Sequence, residues 1–358
     1  LKPLEQLLSK LPELGASDLH IGAGVPPMLR INGDVKPSTI PPLTADQAKR
    51  FVFEILTDEQ LKKFESEWNI DFAYALPTVG RFRGNVLRQR KGISAAFRYI
   101  PPKIPMPHEL GVSEVVVALT KLTQGLVLVT GPTRSGKTTT LASLIQQINL
   151  TEPLHVITVE DPIEYMFQSS KALINQREVG KHTKSTANAL RAALREDPDI
   201  LMVGEMRDLE TISLAITAAE TGHLVLATLQ TQSAHKTIDR MVDSFPPTQA
   251  AQIRAMLSES IRGVISQQLL KRADGRGMVM ASEILLTSTS LSNLIRDGKT
   301  FQIPSVIQTG QSQGMQKMDD SILELVRQKK VTIEEAMRRA HNKKDLELGL
   351  QQVRKKNA

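Results

Sequence analysis

Gly131-Pro132-Thr133-Arg134-Ser135-Gly136-Lys137-Thr138 spells G-x-x-x-x-G-K-[ST] and follows the apolar run Leu126-Val127-Leu128-Val129. A chain with this pattern leaves a strand, turns sharply, and aims several backbone N–H groups at one point. It then enters a helix whose partial positive charge faces the same point. Such a cradle suits the phosphates of a nucleoside triphosphate. Lys137 is placed to reach the β- and γ-phosphates, and the Thr138 hydroxyl to join the shell of a Mg²⁺ ion bridging them. The candidate binding set therefore runs through Gly131, Pro132, Thr133, Arg134, Ser135, Gly136, Lys137, Thr138 and Thr139.

The segments after this loop alternate strand-like runs, His155 to Val159, Ile200 to Val203 and Leu224 to Leu229, with helical patterns such as Thr138 to Ile148. That rhythm predicts an α/β core with a parallel sheet covered by helices. Upstream, Leu4 to Leu14 has helical spacing, His20-Ile21 and Met28 to Ile31 read as short strands, and Asn32-Gly33 marks a hairpin. Thr44 to Phe64 reads as helix and Arg81 to Tyr99 as half-exposed strands, so a small α+β domain is expected over residues 1–100. The prolines between Pro101 and Pro107 break every regular pattern and predict a linker over 101–112. The core is expected over 113–285 and a helical region with a basic tail over 286–358, where Thr332-Ile333-Glu334-Glu335 is a capping box opening a last amphipathic helix. Trp68 and the scattered methionines read as core filler.

A chain of 358 residues suits two domains, and the lack of cysteine excludes disulfides, thiolate metal sites and a cysteine nucleophile. No apolar run approaches the length that spans a bilayer, and the first residues lack a signal-peptide core, so at most peripheral membrane contact is expected. The net charge of +7 is uneven. Seven basic and no acidic residues lie between Phe72 and His108, and ten basic against four acidic lie from Arg327 to Ala358. Aromatic residues make up only 4% and no basic strand interleaves with them, so stable nucleic-acid binding is not expected. The tail residues Arg354-Lys355-Lys356 read either as a frayed solvated end or as a contact for anionic lipid or an acidic partner.

Phosphoryl transfer to water needs a metal-binding acid, a group that orients water, and positive charge on the developing anion. Ile200 to Val203 followed by Gly204-Glu205 is an apolar strand ending in an acid, which makes Glu205 the second candidate metal ligand. Glycine stands where many nucleotidases carry the metal-binding aspartate. Glu160-Asp161-Pro162-Ile163-Glu164 offers three carboxylates after another strand, either beside the phosphate loop or as a solvated acidic turn.

Taken in order, the loop, Glu160 to Glu164, Gln176-Arg177-Glu178, Leu194 to Asp199, Val203 to Asp208 and Glu220-Thr221-Gly222-His223 resemble the motifs of the secretion-type ATPases. The similarity is greatest to the PilT family of type IV pilus retraction motors and runs from about Ser17 to Gln316. The resemblance implies a hexameric ring of subunits with a PAS-like domain before a RecA-like P-loop core, ATP and Mg²⁺ as cofactors, and ATP held between the two domains. It implies a cytoplasmic motor peripheral to the inner membrane, acting on a pilus platform protein, with a paralogous motor ATPase as a further partner. Glu164 matches the residue that activates water, Glu205 the Walker B acid, and His223 the first His-box histidine. Arg83, Arg88, Arg90 and Arg98 become candidates for reaching phosphate through a guanidinium fork. Read without the resemblance, His223 is a packed histidine bonded to backbone, and the arginine run is a solvated basic strand face or an interface with acidic neighbours.

The chain departs from the family pattern at Arg134, where glycine is usual, and at Gln230 and Gln232, where His-Thr-Asn is usual. Ser290-Leu291-Ser292 replaces an Ala-Ile-Arg triplet tied to retraction. Three functions follow as expectations: a retraction motor, a slow or structural paralogue in a mixed ring, and a DNA-linked secretion or conjugative ATPase.

Overall fold

A computed structural model describes residues 1–356, with side chains through 351, and the chain divides into two compact units. The first comprises Leu1–Lys103 together with the segments Pro162–Met166 and Gly275–Gly277. Along it run α1 (Pro3–Ser9), β1 (Ala16–Gly22), β2 (Met28–Ile31), β3 (Asp34–Pro37), α2 (Ala45–Phe53), α3 (Asp58–Glu67), β4 (Asn69–Leu76), β5 (Gly80–Gln89) and β6 (Gly92–Ile100). The strands form one antiparallel sheet in the order β3-β2-β1-β6-β5-β4. Asn32 and Gly33 turn the β2–β3 hairpin with φ of 50° and 87°, the left-handed pair that a two-residue hairpin requires.

The helical expectation over Thr44 to Phe64 resolves into two helices, because Thr57 caps α3 with a full capping box of its own. Trp68 corrects the core-filler reading. It is 61% exposed, ends α3 in the left-handed region at φ 61°, and lies 5.4 Å from the Arg88 guanidinium in a cation–π stack.

The second unit comprises Ile104–Asp161, Phe167–Asp274 and Met278–Ala358. It opens with α4 (Pro107–Leu110), α5 (Glu114–Ala118), β7 (Gly125–Thr130), α6 (Lys137–Thr151), β8 (His155–Glu160), β9 (Leu173–Glu178), α7 (Thr186–Ala193) and β10 (Ile200–Val203). It continues with α8 (Leu209–Glu220), β11 (Leu224–Leu229), α9 (Ala234–Asp243), α10 (Ala250–Ser260), β12 (Ile261–Lys271) and β13 (Met278–Leu286). The remaining helices are α11 (Thr289–Arg296), α12 (Ile303–Thr309), α13 (Met318–Arg327), α14 (Ile333–Arg339) and α15 (Lys343–Lys356). The sheet order is β13-β12-β7-β11-β10-β8-β9, parallel throughout except for the antiparallel edge strand β13.

β7, β10 and β11 are buried along their whole length, which is why they read as unbroken apolar runs. Alternate β7 residues face opposite layers: Leu126 and Leu128 pack in the core with Ile212 and Ile216 of α8, whereas Val127 and Val129 pack with Leu141 and Ile145 of α6. β9, β12 and β13 go beyond the runs read from sequence. β9 alternates exposure at the sheet edge, and the interior of β12 carries the consecutive polar residues Gln267 and Gln268.

The capping box read at Thr332 to Glu335 needs one correction. Thr332 accepts from the Glu335 N–H, but Glu335 turns its own carboxylate to the Lys271 N–H and to Arg339, and α15 follows α14. The helix it opens is therefore not the last. The side chains of Arg354, Lys355 and Lys356 lie outside the described residues. Among the described residues, no helix is long and apolar enough to cross a membrane.

Candidate functional site

β7 ends at Thr130, and the loop that follows is shaped by two conformational demands. Gly131 has φ +145°, and a Cβ there would stand 2.3 Å from the Gln267 carbonyl oxygen and 2.5 Å from Ser135 Oγ, so only glycine fits. Arg134 sits at φ 68°, in the left-handed region that an L side chain occupies at a cost of about 1–2 kcal/mol. Gly136 then caps α6. The Lys137 ammonium donates to the Gly131 and Pro132 carbonyls at 3.0 and 3.1 Å, folding back over the loop it follows. Thr138 and Thr139 occupy the first turn of α6 and are half-buried.

The carboxyl ends of β8, β10 and β11 bring further polar groups to the same edge as the loop, where the ends of parallel strands build ligand sites. Glu205, two residues past β10, accepts from Arg207 Nε at 2.6 Å and from Gln230 Nε2 at 2.5 Å. Gln230, one residue past β11, accepts in turn from the Thr133 hydroxyl at 3.4 Å. Arg207 also stands 3.9 Å from Asp161, after β8. A polar line thus runs Asp161, Arg207, Glu205, Gln230, Thr133, crossing four strand ends to the phosphate loop. Gln230 occupies a position where the resemblance leads one to expect histidine, and its carboxamide supplies both a donor and an acceptor without a titrating group.

Glu160 is buried and inward, accepting from Thr158 Oγ1 at 2.7 Å and Gln176 Nε2 at 3.1 Å. The acidic run is therefore not a single solvated turn. Behind α9, burial pushes the Glu283 carboxyl above its ordinary range, opposed by the hydrogen bond it accepts from the Ala234 N–H at the helix start.

In the first unit, the Glu164 carboxylate stands 3.7 Å from Arg83, and Arg81 donates to the Ile163 carbonyl at 3.0 Å. Of the four candidate arginines, Arg83 and Arg98 are cross-strand partners on β5 and β6, and the other two lie away from them. Arg83 lies on β5, Arg88 at the far end of that strand on Trp68, and Arg90 in the β5–β6 turn. Arg98 donates through Nε at 3.0 Å to Asp18, a buried carboxylate that Arg30 and the Ser17 hydroxyl also hold.

His223 is half-buried and bonded to backbone, as expected of it when the family resemblance is set aside. It precedes β11 at the amino edge of the sheet, where its carbonyl accepts from Gly125 N–H at the start of β7, and its Nδ1 lies 3.1 Å from the Ala218 carbonyl. Six strand residues, about 20 Å of extended chain, separate it from the carboxyl edge that carries the loop. Sequence reasoning did not reach Gln267, whose amide touches the loop from below and which carries no motif.

Arg134 yields a prediction. Arg134→Gly removes both the left-handed strain and a positive charge beside the phosphates, each worth about 1 kcal/mol. ADP affinity is expected to fall and kcat to rise, each about fivefold. Steady-state kinetics with calorimetric ADP titration checks it, and unchanged values for both would refute it.

The model of the Type II/IV secretion system protein family matches residues 108–356. The chain is 50% identical to the type IV pilus retraction ATPase PilT of Pseudomonas aeruginosa, covering 94% of this chain and 98% of the relative. It is 37% identical to the type IV pilus ATPase PilU of the same organism, covering 96% and 90%. A crystal structure of the pilus retraction motor PilT with bound ADP superposes with a TM-score of 0.83 at 46% identity, covering 97% and 99% of the two chains.

Proposed function

Since this chain belongs to the PilT family of type IV pilus retraction ATPases, we propose that it is a motor subunit that hydrolyses ATP to drive pilus retraction, working as a homohexamer on an inner-membrane platform protein from the cytoplasmic side. The observation that carries the reading is the polar line from Asp161 to Thr133, which ties the Walker-type acid Glu205 to the phosphate loop.

The loop amides and Lys137 bind and orient the triphosphate, with the ammonium exchanging its two carbonyl partners for phosphate oxygens. The Thr138 hydroxyl and the Glu205 carboxylate are hard oxygen donors of the kind Mg²⁺ prefers, and Gln230 and Arg207 hold Glu205 in place. When bound, the ion would neutralise charge developing on the phosphate oxygens. Glu164 is the group proposed to take a proton from water, and its pairing with Arg83 at 3.7 Å orients its carboxylate.

A second reading, a low-activity subunit of a mixed ring with a paralogous motor, is favoured by Arg134 and by α11. There Leu291 keeps the core contact, while Ser292, in place of an arginine, bonds the Ser258 carbonyl of α10 at 2.8 Å. One experiment separates the two: expression in a bacterium lacking its own retraction motor, with purified protein assayed for ATP turnover and for mass in solution. Restored twitching, turnover without a partner and a sixfold mass support the motor. A protein that turns over ATP only with a paralogue present supports the mixed ring, and one with no turnover in either setting refutes both.

A further inference from the structure

We propose that Gln267 is a positioning residue for ATP binding, setting the aim of the phosphate loop without touching the nucleotide. The inference rests on the reading of residues 131–138 as that loop.

β12 pairs in parallel with β7, and Ser266 is the partner of Thr130, the last residue before the loop. Gln267 therefore lies one residue beyond the paired stretch, under the turn. Its backbone carbonyl closes off the space that a side chain on Gly131 would need. Its side chain reaches the other limb of the loop, where Nε2 donates to the Ser135 carbonyl at 2.8 Å and Oε1 accepts from the Thr140 hydroxyl at 3.0 Å. Gln267, Ser135 and Thr140 are all buried, at 1%, 2% and 2% exposure, so water is no substitute for either bond.

The amide orientation is forced, since a carbonyl oxygen only accepts and the NH2 group must face Ser135. In a planar trans peptide the C=O and the following N–H point in opposite directions. Holding the Ser135 oxygen toward β12 therefore turns the Gly136 N–H away from β12, with the other amides of the cradle. Thr140 in turn ties the same amide to α6, so that the loop exit and the helix move as one piece. Preorganised donors are worth most when their direction is set before the charge arrives. No motif marks this residue, because the group it serves is 132 positions away in the chain.

Three variants test the proposal in the full-length protein. Gln267→Met keeps size and loses both bonds, Gln267→Glu keeps an acceptor for Thr140 but cannot donate to Ser135, and Thr140→Val loses only its own bond. ADP dissociation constants by calorimetry, kcat and KM for ATP, and melting temperature are measured for each. Ser266→Ala, which breaks the buried hydroxyl pair with Thr130, serves as the structural control, and Lys137→Ala as the control for the loop reading. The expected result is an ADP dissociation constant raised about tenfold in both Gln267 variants and less than threefold in Thr140→Val, with Ser266→Ala lowering the melting temperature alone. Should Gln267→Glu fail to fold, Gln267→Met against Ser266→Ala carries the test. ADP binding within twofold of wild type in Gln267→Met, or a shift matched by Ser266→Ala at equal loss of melting temperature, overturns the inference while weakened binding in Lys137→Ala leaves the loop reading standing. Undiminished binding in Lys137→Ala overturns the loop reading itself.

Discussion

Replacing Lys137 by alanine is expected to lower ATP turnover about 10²- to 10³-fold, the range found when one preorganised positive or hydrogen-bonding group is removed from a site of developing charge. The ammonium is held over the loop by two carbonyls, at 3.0 and 3.1 Å, so its charge is already stationed where the phosphates would arrive. Alanine leaves those carbonyls without the ammonium and their negative ends facing an anion. Nucleotide affinity should therefore fall together with kcat. A coupled assay for phosphate release, with calorimetry on the same sample, reads both quantities. Turnover within threefold of wild type would remove the loop from the chemistry.

The second large effect belongs to Glu205. Glu205→Ala should reduce kcat about 10²-fold while the loop still binds ATP, because the acid is placed to serve the ion and the reacting end of the nucleotide rather than the cradle. The variant should retain radiolabelled ATP through rapid desalting, and its bound nucleotide should remain triphosphate for many turnover times of the wild type. Glu205→Gln makes the comparison sharper. It preserves an oxygen acceptor for Arg207 or Gln230 but lacks the charge, so a loss as large as that of alanine assigns the effect to charge and not to shape. Equal turnover in wild type and both variants would sink the assignment.

Much of this site is legible in the residues because its parts are local. The loop, its preceding strand and its following helix occupy one continuous stretch, and the acid Glu205 follows an unbroken apolar strand. The same is true of the parallel sheet, whose central strands are buried on both faces and therefore cannot alternate. Where local pattern runs out, the reading goes astray in identifiable ways. Trp68 looks like core by composition yet serves as an exposed platform for Arg88, because the left-handed end of α3 turns it outward. The four arginines look alike in sequence, but strand register sets Arg98 opposite Arg83 and beside Asp18, while Arg88 stacks on Trp68 at the far end of β5. His223 belongs to a motif by order along the chain and to the opposite sheet edge in space.

The chain alone determined that a strand, a glycine-rich turn and a helix would form a phosphate cradle, since φ freedom, missing side chains and apolar runs act within a few residues of one another. Only the tertiary structure decided which distant groups serve that cradle: the amide of Gln267 beneath it and the amide of Gln230 linking it to Glu205. The reason is physical. A hydrogen bond between residues 132 apart depends on strand order and register, and these follow from how whole faces of apolar side chains are buried together, not from the identity of the two residues that meet.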